Sequence, residues 1–107
     1  MQIESIVCPE YVEAKLEAKH GVTYREARQA LLSRPRIRFA EKGRTEGEDV
    51  YACFGQTLGG RYLAVFFIYK PTSKTAIIIS AREMSERAQN LWTPIDLAVF
   101  LRQIPMK

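Results

Sequence analysis

The chain starts with a helical period, turns to a strand period after Pro35 and returns to a helical one after Ser85. Ile3–Cys8 is apolar and β-branched enough for a short strand or an extended lead-in. Pro9 suits a first helical turn, and Glu10, Glu13 and Glu17 favour the positive end and outer face of a helix. Val12 and Leu16 fall on one side with Tyr11 and Ala14 beside them, so the spacing predicts an amphipathic helix over Pro9–Lys19. Gly21 closes it, because glycine enters the left-handed conformation freely. Thr23 and Glu26 form a Thr-x-x-Glu capping box for a second helix. Its buried stripe is Tyr24, Ala27 and Leu31, and it runs out near Ser33.

Pro35–Ala40 alternates, with Arg36 and Arg38 on one side and Ile37 and Phe39 on the other. Lys42–Asp49 is polar, holds two glycines and reads as a loop. Three strands follow, Val50–Thr57, Arg61–Lys70 and Thr75–Ala81. Leu58-Gly59-Gly60 and Pro71-Thr72-Ser73-Lys74 join them, too short for parallel crossovers, so the meander is antiparallel. Leu63–Tyr69 and Ala76–Ile79 are apolar on both faces, which places them mid-sheet with cover on each side. Ser85–Trp92 reads as a third helix, and Thr93-Pro94 starts a fourth as N-cap and first turn. Ile95, Leu97, Val99, Phe100, Leu101 and Ile104 make that last helix apolar over most of its circumference. It must pack on its own sheet or on another subunit. The expected fold is α+β: an N-terminal helical hairpin, a four-stranded mainly antiparallel sheet and C-terminal helices.

With 107 residues, 47% of them hydrophobic and 26% charged, the chain fits one globular domain over 1–107. The longest apolar run, Tyr62–Tyr69, is eight residues, far short of a membrane span. Met-Gln-Ile-Glu lacks the basic start of a signal peptide, so a cytoplasmic protein is expected. Cys8 and Cys53 stand apart without a CxxC, and His20 is the one histidine, which argues for free thiols and against a zinc site. Net charge is +4, and its location says more than its size. Arg34–Arg44 holds five of the 16 basic residues and one of the 12 acidic ones, leaving eleven of each elsewhere. So localised a positive stretch points to a polyanionic partner, either nucleic acid or an acidic protein face. The alternative is an edge strand guarded by arginines.

No phosphate-binding loop, dinucleotide fingerprint, zinc-helix motif or nucleophile elbow is present, and no cofactor is expected. What remains is a polar set near element ends: Lys19, His20, Arg44, Glu48, Arg61, Arg82, Glu86 and Arg87. Cationic groups around a bent phosphate are what a metal-free ribonuclease needs. The RNA's own 2′-hydroxyl attacks phosphorus, guanidinium groups hold the added negative charge, and a histidine or carboxylate moves protons. Each residue also has a plainer reading. His20 favours a helix C-terminus through the dipole, Arg82 pairs locally with Glu83 or Glu86, and Arg87 makes a surface pair.

Lys19-His20-Gly21-Val22, Glu26-Ala27, Gly43-Arg44, Glu48, Gly55-Gln56-Thr57 and Gly60-Arg61-Tyr62-Leu63 occur in that order, then Ile79-Ser80-Ala81-Arg82-Glu83-Met84 and Glu86-Arg87. This ordered set resembles the BrnT family, the ribonuclease toxins of bacterial type II toxin–antitoxin systems, over about Glu10 to Trp92. The family's usual Trp-Asp pair before the first helix is replaced by Cys8-Pro9-Glu10, and the apolar helix at about 94–104 extends past the usual end. The resemblance implies a RelE-like fold, metal-independent RNA cleavage, inhibition of translation, and neutralisation by a small DNA-binding antitoxin of ribbon-helix-helix type.

The resulting expectation is an endoribonuclease acting on free or ribosome-bound RNA. Arg82 and Arg61 would stabilise the scissile phosphate, and His20 or Glu48 would assist proton transfer. Arg34, Arg36, Arg38, Lys42, Arg44, Lys19 and Arg87 would hold RNA, and the C-terminal helix could mediate self-association. The alternatives are a non-catalytic RNA- or protein-binding module on the same scaffold and a subunit-interaction protein.

Overall fold

The computed structural model describes residues 1–33 and 35–84; Arg34 and residues 85–107 lie outside the description that follows. The elements are β1 Ser5–Val7, α1 Glu10–His20, α2 Tyr24–Leu32, β2 Arg36–Glu41, β3 Val50–Gln56, β4 Tyr62–Lys70 and β5 Thr75–Glu83.

α1 ends because Gly21 turns left-handed, at φ 61°, and its N–H then donates to the Glu17 carbonyl at 3.2 Å. Val22 follows into the core, fully buried, so the chain reverses within two residues of His20. α2 starts on a complete capping box: the Glu26 N–H donates to Thr23 Oγ1 at 3.1 Å, and the Thr23 N–H donates to Glu26 Oε1 at 3.2 Å. Its C-terminal half lies so close to β3 that a Cβ on Gly55 would sit 2.2 Å from the Ala30 carbonyl oxygen. Only glycine fits there. The Gln56 N–H donates to Ser33 Oγ and the Leu58 N–H to Gln29 Oε1, which ties α2 to the end of β3.

The strands form one sheet in the order β1-β5-β4-β3-β2. From β2 to β5 it is an antiparallel meander, with Arg36 opposite Phe54, Phe54 opposite Ala64, and Ala64 opposite Arg82. β1 joins the far side of β5 in parallel, Ser5 opposite Thr75. The helices cover one face through a cluster that includes Val12, Leu16, Val22, Leu31, Leu63 and Phe67. Burying side chains of this size contributes about 1.5–3 kcal/mol each. On the other face Val50, Ala52, Phe54, Ala64, Phe66 and Met84 form a second buried cluster.

The expected four-stranded sheet with C-terminal helices is therefore corrected to a five-stranded mixed sheet, and both helices among the described residues are N-terminal. Ser5–Val7 is a strand rather than a lead-in, because β5 has a free edge that its three residues can pair. β5 also continues past Ala81 to Glu83, since Leu63 and Ala64 on β4 still offer partners there. The helices expected at Ser85–Trp92 and after Pro94, and self-association through the latter, lie outside the described residues.

Candidate functional site

Three chain segments converge at one end of the sheet. They are the C-terminus of α1 with Gly21, the start of β4, and the end of β5. Arg61 joins them. Its Nε donates to Glu83 Oε2 at 2.6 Å, and its Nη1 donates to Glu26 Oε2 at 2.7 Å and to the Gly21 carbonyl at 3.1 Å. One guanidinium thus links His20's neighbour to Arg82's neighbour, and fixes α2 to both.

These bonds show in the titration of the groups. Burial alone would raise the Glu26 pKa, but hydrogen bonds from Arg61 and Thr23 overcome it and hold the carboxyl below its usual range. Glu83 and Glu26 in turn raise the Arg61 pKa further. Glu26 has its pKa depressed by folding, so its contribution is present above the ordinary value and fades as pH falls through the folded one. Arg61→Ala is expected to cost about 1–2 kcal/mol, between an exposed pair and a charged hydrogen bond. Glu83→Gln, whose side chain is 59% exposed, should cost under about 1 kcal/mol. Urea unfolding of both variants checks the ranking.

His20 is the last residue of α1, exposed at this end, with Lys19 exposed beside it. Partial desolvation, then the charges of Arg82, Lys15 and Lys19, lower its pKa from the ordinary 6.5. The imidazolium is therefore disfavoured, and Arg82 stands close enough for its charge to contribute. Arg82 is exposed near the end of β5, on a backbone held by pairing with Ala64. The end of the sheet thus presents an imidazole, a strand-held guanidinium and a lysine.

The structure brings together Arg82, Arg61, His20 and Lys19 from the expected set. Arg61 is the one whose role changes: with two carboxylates and a carbonyl on it, it positions the site more than it offers charge to a ligand. Glu26 and Glu83 were visible in the sequence as a cap residue and a neighbour of Arg82, with no signal that both bind Arg61.

Glu48 does not join this group. It precedes β3, whose first residue pairs with Ile68, and it forms an ion pair with Lys70 at the far end of β4. Arg61 and Lys70 are nine residues apart along that strand, roughly 30 Å at strand rise. Lys42 and Arg44 are also at that far end, where they line a cleft of about 510 Å³ with Glu41, Glu48, Val50 and Ile68. Arg36 and Arg38 lie on β2, on the face that carries Phe54 and Ala52. Arg36 shares a cross-strand row with Arg82, roughly 14 Å away by three strand spacings. Arg34 and Arg87 fall outside the described residues.

Both thiols are held in the protonated form. Both cysteines are free, and burial pushes Cys53 up to about 12 and, with help from Glu13, Cys8 up to about 11. Among the described residues no group of three or more His, Cys, Asp and Glu side chains could hold a metal ion. No helix among them is long and apolar enough to cross a membrane.

The model of the BrnT ribonuclease toxins of type II toxin–antitoxin systems matches residues 12–88. The chain belongs to the BrnT family. Membership brings with it ribonuclease activity, an RNA substrate and an antitoxin partner. The match runs from Val12 on α1 past the end of β5, so Lys19, His20, Glu26, Arg61, Arg82 and Glu83 all lie within the BrnT region. No curated protein matches the chain.

Proposed function

We propose that this BrnT-family chain cleaves RNA without a metal ion, at the sheet end formed by His20, Lys19 and Arg82. The observation that carries the reading is that Arg61 ties Gly21, next to His20, to Glu83, next to Arg82, which sets a histidine and a guanidinium at one end of the sheet. Partial burial and the nearby cations disfavour the imidazolium there. Neutral His20 takes the proton of a ribose 2′-hydroxyl as the 2′-oxygen bonds to phosphorus. The bond to the 5′-oxygen breaks, the leaving oxygen takes a proton from water, and a 2′,3′-cyclic phosphate remains. Arg82 and Lys19 offset the extra negative charge that develops on the phosphate oxygens. Arg61 holds the α1–α2 turn against β5, so that base and guanidinium keep their spacing.

Arg36, Arg38, Lys42 and Arg44 stand off this centre and hold flanking phosphates. The RNA is cellular, free or on the ribosome, and its cleavage inhibits translation in the cytoplasm. The antitoxin is a small DNA-binding protein of ribbon-helix-helix type.

The test is incubation of the purified protein with RNA, with and without EDTA. Cleavage that persists in chelator and leaves cyclic-phosphate ends is the expected result. Loss of cleavage on chelation would refute the metal-free mechanism. Absence of cleavage on both free and ribosome-bound RNA would leave a binding module instead.

A further inference from the structure

β2 has a single neighbour among the described residues, β3, so the outer side of the sheet ends on it. The two faces of this edge differ sharply. On one face stand Arg36, exposed, and Arg38, half-buried. On the other stand Ile37 and Phe39, and Phe39 is 55% exposed. Phe39 packs edge-on against Tyr51 with centroids 5.8 Å apart, and Tyr51 continues onto Phe67 and Tyr69. The edge therefore ends an aromatic row that crosses three strands. The register shifts only at the end of the strand, between Phe39 and Glu41.

Arginines on an edge strand are a known guard against unwanted pairing. Here the guard accounts for one face only. A guarded edge has no need of a large aromatic side chain half in water on its other face. A second copy of this strand would set arginine against arginine, which rules against self-pairing through this edge. A strand that alternates acidic and apolar residues satisfies both faces at once: its acids meet Arg36 and Arg38, and its apolar side chains cover Ile37 and Phe39. Backbone hydrogen bonds along the edge supply the rest of the binding.

We propose that an extended segment of the antitoxin, alternating acidic and apolar side chains, adds to the outer edge of β2 as a further strand. The proposal rests on the antitoxin partner that the BrnT family implies. It also gives a physical route to neutralisation, because the added strand covers two of the cations assigned to flanking phosphates.

The probe is a capped ten-residue peptide of alternating Glu and Val, titrated into the isotope-labelled full chain and followed by amide NMR. The amides of Ile37–Glu41 should shift, and their hydrogen exchange should slow at least about tenfold on pairing. A peptide with the same residues in two blocks should bind at least about tenfold more weakly, as should one N-methylated at alternate amides, which keeps charge and apolar surface but loses edge hydrogen bonds. Arg38→Glu should weaken binding by a similar factor, while Arg25→Glu, on the outer face of α2, should not. Equal binding of the blocked or N-methylated peptide overturns strand addition without requiring any variant to fold. Shifts of the Ile37–Glu41 amides by a single-stranded RNA and not by the peptide would make this edge an RNA contact, and the proposal wrong. RNA cleavage by the same sample is scored separately. Cleavage without peptide binding overturns this inference alone, and peptide binding without cleavage overturns the ribonuclease mechanism alone.

Discussion

Arg82→Ala is expected to slow RNA cleavage by about 10²–10³, the usual loss when one preorganised charge-stabilising donor is removed. The side chain is exposed near the end of β5, while its backbone pairs with Ala64 and its neighbour Ala81 is fully buried. A guanidinium on so rigid a base reaches a phosphate without first being ordered, which is where its advantage in the transition state arises. Because the side chain is exposed, its loss should cost only about 1 kcal/mol of stability. Arg82→Lys should not restore the rate, since an ammonium lacks the two-pronged donor geometry that fits a phosphate. The alternative role, a local ion pair, predicts the reverse ranking: a lower melting temperature with nearly normal cleavage. Rates and thermal unfolding measured on both variants separate the two.

His20→Gln is expected to slow cleavage by about 10²–10⁴, the range for loss of a positioned general base. The wild-type rate should fall on the acid side with an apparent pKa below the ordinary 6.5, because desolvation and the charges of Arg82, Lys15 and Lys19 disfavour the imidazolium. That limb should vanish in His20→Gln. In Arg82→Ala it should move up toward the ordinary value, since one of the opposing charges is gone. Stability carries the same sign. The unfolded chain protonates His20 first on acidification, so folding weakens as pH drops through 6.5 toward the folded pKa. A pH–rate profile with no limb below neutrality, or one unchanged in His20→Gln, would remove His20 from the chemistry.

Local features of this fold were legible because their causes are local. The Gly21 stop, the Thr23–Glu26 box and the period-two strands each depend on residues a few positions apart. The place of β1 in the sheet was not, because its three residues pair in parallel with a strand 70 positions later, and parallel pairing leaves no turn signal between partners. The site was half legible for the same reason. His20 and Arg82 stand out as charged groups at element ends, but Arg61 reads as an isolated strand-starting cation. Its bonds to Glu26 and Glu83 span 35 and 22 positions. In the sequence Glu48 groups with His20 and Arg82 as another charged residue near an element end, whereas strand direction carries it to the other end of the sheet, onto Lys70.

That separation gives the sharpest test. RNA cleavage rates of Glu48→Gln and Arg82→Ala, measured side by side on protein shown to be folded, decide which end of the sheet does the chemistry. The strand-end account predicts Glu48→Gln within about threefold of wild type and Arg82→Ala slower by about 10²–10³. A crippled Glu48→Gln beside a fully active Arg82→Ala would contradict it.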